Sequence, residues 1–185
     1  MESVAGIVLT GVAAFATTNV DDLFLLVAFL GDRAIRPRHV IAGQFTGIAV
    51  LCGASAAAAL VALVIPRDWL SLLGLVPIAL GAWKLWDRRQ EKAQLPASSG
   101  VLGVAAVTVA NGGDNIGLYV PLFANSGAYS IALMGLVFAV MTALWCYAAY
   151  RLVSHPALGT AIRRYGSRAM PLVLMALGVW ILLRD

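Results

Sequence analysis

Charge is scarce in this chain. Lys, Arg, Asp and Glu make up 12% of its 185 residues, about half the share found in ordinary soluble domains, while 61% are hydrophobic and the mean hydropathy is +0.88. That balance excludes a soluble globular domain. Cysteine is nearly absent: Cys52 and Cys146 both lie in apolar runs, which excludes a disulfide framework and a CxxC metal or redox pair. No GxxxxGK[ST] segment occurs to suggest ATP as a drive. The net charge is +4 and the pI about 9.4, yet no basic tract is interleaved with aromatics, so no nucleic-acid partner is expected. The first apolar stretch carries Glu2 and no Lys or Arg before Arg33. It lacks the basic n-region of a cleaved signal peptide and is expected to remain as a membrane span.

What is present is hydrophobic length. A hydrocarbon core of ~30 Å needs roughly 20 apolar residues in a helix. Six stretches qualify, at about 4–30, 40–65, 69–86, 101–123, 128–150 and 167–183. The breaks between them are polar or rich in Gly and Pro, and none is long enough for a domain of its own, so 1–185 reads as a single transmembrane domain. Eleven of the thirteen basic residues fall after the first, third and fifth spans, among them Arg33, Arg36, Arg38, Arg88, Arg89 and Arg151. By the positive-inside rule these loops are cytoplasmic and both termini face outward.

Three spans followed by three spans suggest a repeat. Thr18-Asn19-Val20-Asp21-Asp22-Leu23 lies over Asn111-Gly112-Gly113-Asp114-Asn115-Ile116 at an offset of 93, and Ala79-Leu80-Gly81-Ala82-Trp83 over Ala176-Leu177-Gly178-Val179-Trp180 at 97. Units with an odd number of spans must be inverted relative to one another, as in many secondary transporters, with a site at the midplane between them. The repeats are expected at about 3–90 and 99–185.

Asp21, Asp22 and Asp114 sit well inside spans, where an ionisable group costs ~2.5–3.5 kcal/mol even on the permissive insertion scale. No Lys or Arg lies in those spans to pair with them. One aspartate alone reads as the cap of a half-helix; three at equivalent places in two repeats point to a cation or proton site. Asn19, Asn111 and Asn115 add amide oxygens, and Gly112-Gly113 weakens the helix, freeing backbone carbonyls of a kind tolerated at membrane depth only where they line a cavity. Neighbouring Asp21 and Asp22 point ~100° apart on a regular helix, so either the helix unwinds there or one of the two faces the ion. Unwinding is expected in spans one and four, with Pro121 as the competing place for a kink and Pro77 bending span three. Three carboxylates facing an empty apolar cavity repel one another, so some are expected to be protonated until a divalent cation displaces the protons. Alternate exposure of one site to protons and metal is the minimal design of a proton-coupled transporter.

Cys52 and Cys146 are 94 residues apart, close to the offset of the aspartates. As thiolates they would favour Cd2+ or Zn2+ over Ca2+ or Mg2+; as thiols they are small hydrophobes. His39 and His155, at span ends, are candidates for metal entry or simply solvated. Thr17, Thr18, Thr108, Gln44 and Thr46 are candidates to line a pathway, against the common habit of Ser and Thr of bonding their own helix backbone. Gly43-Gln44-Phe45-Thr46-Gly47 is a GxxxG that allows close helix contact, inside the protein or in a homodimer.

The segments Ala-Thr-Thr-Asn19-Val-Asp21-Asp22-Leu-Phe and Ala-Asn111-Gly-Gly-Asp114-Asn115-Ile-Gly-Leu-Tyr-Val-Pro121-Leu-Phe resemble the two signature segments of the bacterial cadmium resistance transporter family, the CadD-like group of the LysE superfamily. The resemblance covers nearly the whole chain. It implies efflux of Cd2+, with Zn2+ as a second candidate, across a bacterial inner membrane, and a metal site of Asn19, Asp21, Asp22, Asn111, Asp114 and Asn115.

The expectation is therefore an all-α integral membrane protein of six transmembrane helices in two inverted three-helix repeats, with helices 1 and 4 interrupted near the midplane. It is expected to be a secondary exporter of divalent heavy-metal cations by proton antiport, not an enzyme. Its partners are the lipid bilayer, the transported metal and protons, and no cofactor is expected beyond the cation carried. Two alternatives stand beside it. One is a membrane thiol-disulfide oxidoreductase using Cys52 and Cys146, which leaves the buried aspartates without a role. The other is an amino-acid exporter of the same superfamily, whose carboxylates would bind a substrate amine.

Overall fold

The computed structural model describes residues 3–32, 35–62 and 100–153, with isolated helical residues at 75, 78, 79, 82, 175 and 179. The expected third and sixth spans, Pro77, His155 and the paired motifs ending at Trp83 and Trp180 lie outside the described residues. Within them there are six α-helices and no strand: α1 Val4–Thr18, α2 Val20–Gly31, α3 Pro37–Ala62, α4 Val101–Asn111, α5 Gly113–Ala124 and α6 Ala128–Val153. Ser3 caps α1 by accepting from the Gly6 N–H at 3.1 Å. Pro37 opens α3 at a position where its missing N–H costs nothing.

The described part of the chain is apolar outside as well as within. Its outward faces are apolar, with Leu9 69% and Leu102 80% exposed, while Asn19, Asp22, Gln44, Thr108, Asp114 and Asn115 are buried. Large apolar faces of this kind are stable against lipid rather than water. The stretches Pro37–Val61 and Ala128–Val153 are long and apolar enough to cross a membrane, and α1 with α2 form a third candidate span bent by 59°.

Each long helix packs on a broken pair distant in sequence. The inward stripe of α3, which recurs every three or four residues from Val40 to Ala59, lies against α4 and α5, whereas α6 lies against α1 and α2. An aromatic stack of Phe15, Tyr119 and Phe138 occupies the middle, with Tyr119 and Phe138 centroids 4.6 Å apart. The GxxxG of α3 is used within the chain. A Cβ built on Gly43 would lie 2.5 Å from Val104 Cβ and one on Gly47 2.6 Å from Thr108 Cβ, so α4 fills the face that a homodimer would have needed.

Both expected interruptions occur. The first falls at Asn19 (φ −115°, ψ 16°) and the second at Gly112 (φ −83°, ψ 23°). Pro121 does not interrupt the helix: α5 runs through it. Gly112 has a negative φ that any residue adopts, so what the glycine provides there is room rather than conformational freedom. A Cβ would run into the Leu51 side chain of α3.

The close α3–α4 approach can be checked by adding single methyl groups. Gly47→Ala is expected to destabilise detergent-purified protein by an overpacking cost of about 1–3 kcal/mol, read as a lower melting temperature. Gly53→Ala, where nothing lies within 4 Å, is expected to leave it unchanged or slightly raised. Equal melting temperatures for the two variants would contradict the contact.

Candidate functional site

The two helix breaks meet at the centre of the packed helices. A break frees backbone groups that must find partners where water is absent, and the residues at Asn19 supply them. Its own N–H and its side-chain Nδ2 both bond the Phe15 carbonyl, at 3.0 and 2.9 Å. Nδ2 also has Thr18 Oγ1 at 2.9 Å and the Tyr119 hydroxyl at 3.1 Å within reach. The Asn19 carbonyl accepts from the indole Nε1 of Trp145 at 2.6 Å. Across the interface, Asn115 Nδ2 donates to Asn19 Oδ1 at 3.2 Å, so side chains at the start of α5 bind directly to the first break.

Asp21 and Asp114, aligned by the 93-residue offset, are held alike. Each sits in the first turn of the helix that follows a break. Each accepts from the N–H of the next residue, Asp22 at 3.1 Å and Asn115 at 3.2 Å. A carboxylate there also meets the positive end of the helix dipole. The pair differs in depth: Asp21 is half-buried and Asp114 buried.

Asp22 is held differently. It is 2% exposed, and its two oxygens accept from side-chain amides on other helices: Oδ2 from Gln44 Nε2 of α3 at 2.8 Å, Oδ1 from Asn111 Nδ2 of α4 at 2.9 Å. Thr108 Oγ1 donates in turn to Gln44 Oε1 at 2.8 Å. Partial positive charges of neutral N–H groups thus stand where a cation would otherwise be required. Asp21 and Asp114 both lie within electrostatic reach of Asp22. The regular first turn of α2 settles which of the neighbouring aspartates turns inward, and it is Asp22.

The structure joins Asp22 to Asn111 and Asn19 to Asn115, with Asp21 and Asp114 one residue away on α2 and α5. It does not gather the carboxylates into one coordination sphere: among the described residues no three His, Cys, Asp or Glu side chains stand close enough to hold a metal ion. Asn115 Oδ1 is buried with no hydrogen-bond partner among the described residues. An orphaned amide oxygen of this kind marks a place for a water or an ion. Cys52 and Cys146 are both free and belong to different apolar clusters. Cys52 packs on the one containing Phe15 and Tyr119, Cys146 in the one containing Leu23 and Val40. Cys146 lies within electrostatic reach of Asp22, and Cys52 of Tyr119.

Sequence patterning does not reveal Tyr119 and Trp145 as partners of Asn19, and it offers Gln44 and Thr108 as pathway residues without tying them to Asp22. Tyr119 carried a signal, since it lies four residues after Asn115 and so on the same helix face. Trp145 carried none beyond its place beside Cys146.

A family model described as cadmium resistance transporter matches residues 15–185, a span that includes both breaks and every residue of the network above. No curated protein and no solved structure matches the chain significantly.

The Trp145 bond to the Asn19 carbonyl is open to direct test. Trp145→Phe keeps an aromatic ring against Phe15 but removes the indole N–H, and is expected to cost about 1 kcal/mol of stability, measured by thermal unfolding in detergent. An unchanged melting temperature would show that the Leu23 N–H, which the same carbonyl accepts at 3.3 Å, satisfies it alone.

Proposed function

The chain belongs to the cadmium resistance transporter family, and from that premise we propose that it is a secondary transporter exporting divalent heavy-metal cations, Cd2+ first and Zn2+ beside it, in exchange for protons. The observation that carries this reading is a buried set of carboxylate and amide oxygens, Asp22, Asp114, Asn19 and Asn115, at two helix breaks. Family membership and apolar helices of spanning length make the chain a membrane protein. Oxygen-rich, ionisable groups inside such a protein are ion or proton sites by default.

In this reading Asp21, Asp22 and Asp114 are ligands and proton acceptors. Asn19, Asn111 and Asn115 are neutral oxygen donors, and Asn115 Oδ1 is the one already waiting without a partner among the described residues. Cys146, within electrostatic reach of Asp22, is the thiol proposed to add a soft donor suited to Cd2+. Each Asp22 oxygen accepts one amide N–H and keeps lone-pair capacity for a cation, so Gln44 and Asn111 hold the carboxylate while it binds the ion.

The proposal includes six spans in two inverted repeats. The like treatment of Asp21 and Asp114 supports it, as does the packing of each long helix on the other half's broken pair. It places the chain in a bacterial inner membrane with both termini outside. Leu30, Pro37 and Ile41 line one groove with Tyr147 and Tyr150, so exposed Arg36, Arg38 and Arg151 share an end of the molecule, as cytoplasmic residues should. A homodimer would use a face other than the GxxxG. The separate settings of Cys52 and Cys146 favour transport over thiol-disulfide chemistry.

The test is Cd2+ flux in proteoliposomes under an imposed pH gradient, with a pH-sensitive dye and parallel assays of Zn2+, Mn2+, Ca2+ and lysine. Cd2+ is expected to move against protons and to stop when a protonophore collapses the gradient. Lysine flux without metal flux would instead support an amino-acid exporter. Asp114→Asn, which removes charge at nearly constant volume, is expected to abolish Cd2+ flux while the protein stays folded in the membrane; full flux in that variant would sink the site assignment. Replacing Cys52 and Cys146 together by Ser is expected to weaken Cd2+ flux without abolishing it.

A further inference from the structure

Threonines inside helices commonly bond the carbonyl one turn back, and Thr17, Thr18, Thr46 and Thr142 do so at 2.7, 3.0, 2.8 and 2.7 Å. Thr108 reaches instead to another helix, donating to Gln44 Oε1 at 2.8 Å. A carboxamide whose oxygen is engaged on one side presents its nitrogen on the other, and there Gln44 Nε2 meets Asp22 Oδ2 at 2.8 Å. All three side chains are about equally buried, at 2% exposure. Asn111, one turn after Thr108 on α4, takes the other Asp22 oxygen. α4 therefore holds Asp22 twice, directly and through Gln44.

The glycines on either side of Gln44 bring it within this reach. With Cβ atoms at Gly43 and Gly47, α3 would collide with Val104 and Thr108, and the chain from Thr108 to Asp22 would be pulled apart. Were the Gln44 amide free to turn over, Oε1 would face a carboxylate oxygen, a repulsive contact. With α1 set over α4 at an offset of 93 and α3 over α6 at the cysteine offset of 94, the corresponding pair is Phe15 and Phe138, with ring centroids 5.7 Å apart, and there Asn115 Oδ1 is left without a partner among the described residues.

We propose that Gln44 is a positioning residue of the cation site, with Thr108 setting the polarity of its amide so that Asp22 offers its carboxylate to the divalent cation in one orientation. This rests on the assignment of Asp22 to that site. Residues that orient a metal ligand typically contribute about 10-fold to 100-fold in metal affinity when removed, and such an effect falls on half-saturation more than on maximal rate.

The experiment uses the full chain in proteoliposomes, with initial Cd2+ transport rates against Cd2+ concentration for wild type, Thr108→Val, Thr108→Ser, Gln44→Leu and Asp114→Asn. Thr108→Val and Gln44→Leu are expected to raise the half-saturating concentration about 10-fold or more, Thr108→Ser to restore it, and Asp114→Asn to transport nothing. Wild-type half-saturation in Thr108→Val and Gln44→Leu, with Asp114→Asn silent, overturns the role of Gln44 and leaves the site standing. So does a fall in maximal rate and melting temperature at unchanged half-saturation, which would make the chain of bonds a matter of packing. Full transport by Asp114→Asn overturns the site and this proposal together. Should Gln44→Leu fail to reach the membrane, the comparison of Thr108→Val with Thr108→Ser decides alone, because Val replaces only a hydroxyl by a methyl.

Discussion

A carboxylate in a low-dielectric interior has to be given partners, and much of this structure follows from how Asp22 receives them. A salt bridge would be the familiar answer, but removing two charges from water often costs as much as their attraction returns. Asp22 instead accepts from the neutral amides of Gln44 and Asn111. That solution demands that three helices approach within the length of a glutamine side chain. The demand is met by Gly43 and Gly47, which let α3 lie against α4, and by the same lie of α3 that brings Leu51 onto Gly112. The bonds to Asp22 are thus made where Gly43 and Gly47 let α3 approach α4 closely.

The backbone imposes a second constraint, and the two halves answer it with different chemistry. At the first break the chain spends side chains: Asn19 bonds back to Phe15, Trp145 caps the Asn19 carbonyl, and Tyr119 and Asn115 reach in from α5. At the second it spends space, Gly112 giving up a side chain so that Leu51 can close over it. With α1 set over α4 at an offset of 93 and α3 over α6 at the 94 of the two cysteines, Asn19 corresponds to Gly112 and Leu51 to Trp145. Related positions thus seal related breaks, one by hydrogen bonding and one by apolar contact. The polar pair Gln44 and Thr108 is likewise matched by the aromatic pair Phe138 and Phe15, so the polar partners of the interior are distributed unevenly between the halves.

Such unevenness has a bearing on transport. Were the two halves of the proposed repeat identical in chemistry, an ion in the proposed site would meet the same groups from both sides. Here one side offers a carboxylate held by amides and the other an asparagine with an unengaged oxygen, backed by the rings of Tyr119 and Phe138. Because α3 and α6 each pack on the pair from the opposite half, a displacement of either pair must be transmitted to the long helix of the other. Packed interfaces of this kind shift between discrete arrangements rather than deform continuously.

Hydropathy alone was enough to identify the chain as helical and membrane-spanning, because twenty apolar residues in a row have no other stable setting. The break at Gly112 and the inward polar residues were legible for a similar local reason: glycine pairs weaken a helix, and an aspartate in an apolar run must be compensated. The family resemblance of the two polar segments is likewise a property of sequence, and the match over residues 15–185 bears it out. Other features belong to the tertiary structure. Asp21 and Asp22 are equivalent on paper, and only the first turn of α2 turns Asp22 inward. GxxxG reads the same whether it faces a second copy or α4. Gln44 lies 22 residues from Asp22 and 64 from Thr108, and no periodicity joins them. Local pattern follows from the free energy of single residues in water, helix or lipid. Partner choice among buried polar groups depends on which helices touch, and that is decided only when all of them pack at once.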